Sequence, residues 1–201
     1  MHSAGSLPAP PTRPIELVTF AVLWHAIRDY SYAIHSVVTD SPSFKGLVPA
    51  SEAASRAKRA NRKRDTAVEL VLRREIWRMG LRYRKHAADV PGTPDLVFPG
   101  LRVAVFCDGD FWHGRNWDTL RPKLEQGSNA AYWPGKIARN RERDLATNAK
   151  LAAAGWRVLR LWETDIRRHP QSAATTVLRF VDERKRELRG VARQASSGQV
   201  N

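Results

Sequence analysis

Two short apolar stretches, Asp95-Leu96-Val97-Phe98 and Leu101-Arg102-Val103-Ala104-Val105-Phe106-Cys107, stand on either side of Pro99-Gly100. Pro-Gly marks a tight turn, and the β-branched and aromatic residues beside it read as strands, so this segment predicts a hairpin with a buried second strand. The pairing carries Asp95, behind Pro91-Gly92-Thr93-Pro94, and Asp108 to strand termini on adjacent strands. Gly109-Asp110-Phe111-Trp112-His113 follows at once, setting two adjacent aromatics and a histidine beside the carboxylates.

The flanking segments supply helices. Thr66 and Glu69 have capping-box spacing, and Val68, Val71, Leu72, Ile76 and Trp77 give one apolar face that ends at Gly80. Leu81-Arg82-Tyr83-Arg84 reads as a short edge strand. Beyond an irregular aromatic stretch ending near Trp133-Pro134-Gly135, residues 137–154 have helical periodicity, 156–162 alternate as a strand, and 171–189 form a last basic helix. Helix, strands, helix, strand, helix predicts an α/β fold, a central mixed sheet flanked by helices. Residues 1–50, with Pro8, Pro10, Pro11 and Pro14, read as an appendage, partly disordered or a short helix built on Leu17, Phe20, Leu23, Trp24 and Ile27. Residues 51–190 form the main domain and 191–201 a disordered tail.

Against this frame, charge is the compositional deviation: 34 Lys+Arg face 20 Asp+Glu, a formal net charge of +14. Nucleic acid is the partner such a surface most often serves, because each phosphate contact releases counterions. The run Arg56, Lys58, Arg59, Arg62, Lys63 and Arg64 has no acid within it and fits a phosphate-contacting arm better than an ordinary solvated face. Cys107 is the only cysteine, which excludes a disulfide framework and a Cys-rich zinc site. The apolar run at 17–27 is about half of what a membrane span needs, so a cytoplasmic protein without membrane attachment is expected.

Phosphodiester cleavage needs charge stabilisation at the phosphate and an activated water, which is why nucleases gather carboxylates around Mg²⁺. Asp95 and Asp108 suit such a clamp; the competing reading makes them turn residues. Glu69 is either a helix cap alone or also a carboxylate of the site. His113 is a candidate general base or a group that polarises the scissile phosphate, because an imidazole side chain suits proton transfer near neutrality. Phe111 and Trp112 are placed to wedge between bases, unless both pack against the segment holding Trp117 and Trp133.

With these residues in view, the region 55–169 resembles the very-short-patch (Vsr) DNA mismatch repair endonucleases, relatives of the PD-(D/E)xK restriction-endonuclease-like superfamily. The resemblance rests on Arg64-Asp65-Thr66-Ala67-Val68-Glu69, Pro91-Gly92-Thr93-Pro94-Asp95, Val105 through His113, Lys136-Ile137 to Arg143-Asp144, and Gly155-Trp156-Arg157-Val158 through Trp162-Glu163. It implies a Mg²⁺-dependent endonuclease, with Mn²⁺ as a substitute, that nicks one strand 5′ to the mispaired T of a T·G mismatch. Asp95 is then the central metal ligand, Cys107 offers its backbone carbonyl, Glu69 acts through metal-bound water and His113 assists proton transfer. Phe111 and Trp112 enter the base stack, and the basic run from Arg56 to Arg64 is an arm in the minor groove.

The chain departs from this pattern in three places. Many members hold a structural zinc where this sequence has Asp110, Arg115, Trp117 and Thr164, so no structural zinc is expected and packing or salt bridges must brace the loop. An apolar wedge residue in the arm is missing, with Lys58 nearest its place. Asp108 replaces a histidine of some relatives and is expected to add a catalytic, metal-binding carboxylate. The expected partners are mismatched duplex DNA and repair-machinery proteins, with the enzyme a monomer. Two rivals remain: a PD-(D/E)xK endonuclease with another DNA target, and a catalytically inactive DNA-binding module.

Overall fold

The computed structural model describes residues 64–197; the expected appendage at 1–50 and the arm residues Arg56, Lys58, Arg59, Arg62 and Lys63 lie outside the described residues. Helix α1 (Ala67–Arg78) starts at the expected capping box. The Glu69 amide donates to the Thr66 hydroxyl at 3.3 Å, and the Thr66 amide donates back to the Glu69 carboxylate at 3.4 Å. Such a cap is worth about 1 kcal/mol. Val68, Leu72 and Ile76 form the buried stripe of α1, and the helix closes at Met79, with Gly80 in the left-handed region at φ 81°.

Four strands follow in chain order: β1 (Arg84–Lys85), β2 (Leu96–Phe98), β3 (Val103–Asp108) and β4 (Arg157–Trp162), which also stand in the order β1-β2-β3-β4 across the sheet. The expected hairpin is present. β2 and β3 pair antiparallel with Leu96 opposite Val105 and Phe98 opposite Val103, across a short 3₁₀ turn at Pro99–Leu101. β3 and β4 pair parallel from Val103↔Arg157 to Asp108↔Trp162. A parallel pair needs a long crossover, supplied here by α2 (Trp117–Glu125) and α3 (Trp133–Ala153). The chain then turns into α4 (Glu163–Arg168) and α5 (Pro170–Ser197).

Alternation along β3 divides the core in two. Val103 and Val105, with Leu96 and Phe98, pack against α1, α4 and α5 through Leu72, Ile76, Ile166, Val177 and Val181. Ala104 and Phe106, with Val97, meet Leu151 of α3 together with Val90 and Val158. A strand covered on both faces has to be apolar throughout, which is why 103–106 read as a continuous run. This is the expected α/β architecture, a mixed sheet flanked by helices.

Three local expectations are corrected. The aromatic stretch before Trp133 contains α2, whose stripe of Trp117, Leu120 and Leu124 is only half-buried and is interrupted by Pro122, so the stretch reads as irregular. α4 follows β4 without a loop. Residues 191–197, expected as tail, continue α5. No helix among the described residues is long and apolar enough to cross a membrane.

Candidate active site

Asp95 is delivered by a turn whose sequence dictates its shape. The Thr93 amide donates to the Val90 carbonyl at 3.0 Å, with Pro91 and Gly92 between them and Gly92 at φ 81°. Proline followed by a residue of positive φ is the type II arrangement. A side chain at Gly92 would also collide with Thr147 of α3, so glycine serves both the turn and the close approach to that helix. Immediately after, Asp95 accepts a 2.7 Å hydrogen bond from the Cys107 amide on β3 through Oδ2. Burial pushes the Asp95 carboxyl up to about 6; the Cys107 amide opposes this, and the negative charge of Glu69 and Asp108 adds to the rise. The Arg73 charge also works against the rise.

Glu69 reaches the same cleft from the first turn of α1, and its oxygens are heavily used. They accept from the Asp65 amide at 3.1 Å, the Thr66 hydroxyl at 3.0 Å and Arg73 at 2.6 Å. The helix-cap role is therefore present, and any part in chemistry has to share the carboxylate with it. Arg73 was not singled out from sequence. It is buried, pairs with both Asp65 and Glu69, and lies 3.4 Å from His86. Asp65, Glu69 and His86 bring ligand atoms within 4.8 Å of one another, but the Arg73 guanidinium already takes an oxygen of each carboxylate. The hydrogen bonds from His86 and Arg73 hold the Asp65 carboxyl down at about 2.

Asp108, expected as a second metal-binding carboxylate, is paired with a cation. Arg160 of β4 donates to both of its oxygens, from Nε at 2.5 Å and from Nη2 at 2.8 Å. Register explains the pairing: Asp108 and Arg160 fall on the α3 face of the sheet with Phe106 and Val158. His113 lies in the loop after β3, and its Nδ1 is 2.6 Å from Asp144 Oδ2 on α3. Burial works to raise the Asp144 carboxyl, but the bond from His113 and the Arg160 charge outweigh it and hold it below its ordinary value. An ionised carboxylate only accepts, so Nδ1 donates the hydrogen of this bond, and Nε2 is the nitrogen left to exchange a proton with the cleft.

Phe111 and Trp112 neither both bury in the core nor both stand free. They meet edge to face at 5.4 Å, and each packs against Trp133 at the start of α3, at 5.2 and 5.7 Å. Phe111 remains 38% exposed, while Trp112 lines the cleft. Below this trio Asp110 accepts from Arg115 at 3.0 Å and from the Thr164 hydroxyl at 2.7 Å, and Arg115 also pairs with Asp165 at 2.8 Å. Three of the four positions singled out above as replacing a zinc set thus form a polar brace; the fourth, Trp117, lies instead under Arg141.

Asp95, Glu69, Asp108, His113, Asp144 and Trp112 all line a single cleft of about 840 Å³. Arg64, the last residue of the expected arm, is exposed. Asp144, Arg160, Arg73 and Trp133 were not assigned roles from sequence. Asp144 and Arg160 have partners 31 and 52 residues away, whereas Arg73 pairs with Glu69 at i,i+4 spacing on α1, a local signal that could have found it.

The profile described as DNA mismatch endonuclease Vsr matches residues 49–119. Type II nicking enzyme V.NmeDIP of Neisseria meningitidis serogroup C is 37% identical over 134 residues, covering 67% of this chain and 89% of the relative. Type II nicking enzyme V.HpaIIP of Haemophilus parainfluenzae is 36% identical over 127 residues, 63% of this chain and 89% of the relative. DNA mismatch endonuclease Vsr of Escherichia coli is 36% identical over 116 residues, 57% and 72% of the two chains. Fold and matches together define a DNA-cleaving hydrolase of the restriction-endonuclease-like α/β class. Within that class, the chain belongs to the Vsr endonuclease family.

Proposed function

We propose that the protein nicks one strand of duplex DNA 5′ to the mispaired T of a T·G mismatch, with Mg²⁺ as cofactor and Mn²⁺ able to replace it. The observation that carries this reading is the cleft lined by both the buried Asp95, whose carboxyl is raised by burial, and the His113–Asp144 pair beside an aromatic cluster. The E. coli relative, named a mismatch endonuclease, supports the choice of substrate.

The donor set fits the metal. A buried carboxylate whose proton affinity is raised by burial and neighbouring negative charge favours a cation, and hard oxygen donors suit Mg²⁺. Asp95 and the Cys107 carbonyl would hold it. Bound there, Mg²⁺ supplies charge neutralisation at the phosphate under attack.

The remaining work belongs to the protein. Asp144 fixes the ring of His113 so that Nε2 removes the proton of the attacking water as its oxygen bonds to phosphorus and the opposite P–O bond breaks. Glu69, anchored by Thr66 and Arg73, orients water at the α1 end of the cleft. Phe111 and Trp112, backed by Trp133, enter the stack beside the mismatch, and the arm from Arg56 to Arg64 lies along the minor groove. Asp108 serves as the seat of Arg160. The protein acts as a cytoplasmic monomer and hands its nick to repair-machinery proteins in very short patch repair.

The test is metal-dependent cleavage of strand-labelled duplexes differing at one base pair. One labelled strand cut beside the T of T·G, with the paired duplex intact, is the expected result. Equal cleavage of paired duplex would move the target to another DNA feature, and binding without scission would make the protein a DNA-binding module.

A further inference from the structure

The Arg160 side chain, on the edge strand β4, is mostly buried, and its guanidinium lies over the Phe106 ring at 4.6 Å. Each of its three nitrogens faces a protein acceptor. Nε and Nη2 hold the two oxygens of Asp108, Nη2 is also 3.0 Å from Asp144 Oδ1, and Nη1 donates to Asn148 at 3.2 Å. A guanidinium has five N–H groups, so this set leaves little to offer a phosphate. Its partners, rather than the substrate, define what it does.

Two of those partners compete for one hydrogen. His113 Nδ1 is 2.6 Å from Asp144 Oδ2 and only 3.7 Å from Asp108 Oδ1. Arg160 occupies both oxygens of Asp108, which withholds that carboxylate from the ring. It also takes Oδ1 of Asp144, so that carboxylate can meet His113 only through Oδ2. The Nη2 to Nδ1 separation of 3.5 Å joins two donors and is no hydrogen bond once Nδ1 carries its proton. Arg160 therefore acts on His113 through its choice of carboxylate.

We propose that Arg160 is a positioning residue that assigns Asp144, and not Asp108, as the partner of His113 and so fixes the ring with Nε2 toward the cleft. The inference rests on the reading that His113 moves the proton in strand cleavage.

The informative variants are Arg160→Gln, which releases one oxygen of Asp108 while still offering it a donor, and Asp108→Leu with Arg160→Leu, which removes the competing carboxylate without stranding a charge. Three readouts are taken on the full chain: kcat and KM for nicking of a T·G duplex, thermal midpoint, and the ¹H and ¹⁵N shifts of the His113 Nδ1–H. In Arg160→Gln, Asp108 competes for the ring: the expected variant is folded, keeps its KM, loses about tenfold or more in kcat because the ring is no longer held in one place, and shows the Nδ1–H signal displaced from its parent position. In the double variant Asp108 no longer competes with Asp144, and the Nδ1–H signal is expected back at its parent position. Parent kcat and an unmoved Nδ1–H signal in Arg160→Gln overturn the inference, as does a signal as displaced in the double variant as in Arg160→Gln. His113→Ala is measured beside them. If that variant is inactive while Arg160→Gln nicks normally, only the Arg160 inference falls; if His113→Ala nicks at the parent rate, the proton-transfer reading falls and takes the inference with it.

Discussion

The amide of Cys107 donates to one oxygen of Asp95 at 2.7 Å, which pins the carboxylate to β3 and leaves its second oxygen without a protein hydrogen bond among the described residues. The carboxyl sits at about 6 against an ordinary 3.8, so the folded protein binds this proton more tightly than the unfolded chain does. The ionised form thus costs stability, in full above about pH 6, and the cost fades as pH falls through 6 toward 3.8. Its size is about 3 kcal/mol. Asp95→Asn, which keeps the acceptor for Cys107, should raise metal-free stability at pH 7.5 by up to that amount and make no difference near pH 4. Urea denaturation at the two pH values checks it, and equal effects at both would contradict the assignment.

Proton and cation compete for the same carboxylate. Apparent Mg²⁺ affinity should fall about tenfold for each pH unit below 6 and level off above it. Calorimetric titration of the protein alone between pH 5 and 8 measures this. A pH-independent affinity would place the cation elsewhere.

Arg73 is buried between Asp65 and Glu69, while Arg78 forms an exposed pair with Glu75. Removing one partner of a buried set costs about 3–5 kcal/mol, and an exposed pair costs about 0–1. Arg73→Met should therefore lower stability far more than Arg78→Met, as read by their denaturation midpoints. It should also lift the Asp95 carboxyl further, because the Arg73 charge now opposes that rise.

The aromatic loop is braced by Asp110, Arg115 and Thr164. Thr164→Val removes the hydroxyl donor to Asp110 and should cost about 1 kcal/mol or somewhat more, since that acceptor is charged. In a double-mutant cycle its effect should shrink when Asp110 is already Ala. Elemental analysis of purified protein should find no stoichiometric zinc; one zinc per chain would contradict a loop held by these side chains alone.

How far the sequence could be read depended on whether a signal was local. The hairpin was legible because Val103 to Phe106 are covered on both sheet faces and Pro99-Gly100 marks the turn between the strands. Thr66 and Glu69 announced α1 because a capping box is a four-residue pattern. α2 was hidden because it is short, carries Pro122 inside it and only half-buries its apolar residues. In the site, Asp95 and His113 lay within a recognisable stretch. Asp144 is 31 residues from His113 and Arg160 is 52 from Asp108, and only the parallel pairing of β3 with β4 and the packing of α3 unite them. The same pairing gives Asp108, read from its own stretch as an available carboxylate, a cationic partner on β4 that nothing local announced.

The most direct test of the account is a T·G duplex labelled on each strand, incubated with Mg²⁺ and either the parent protein or Asp95→Ala. The account predicts that the parent cuts only the T-containing strand, 5′ to the mispaired T, while Asp95→Ala binds the duplex with similar affinity and leaves both strands whole. Parent-like cleavage by Asp95→Ala would contradict it.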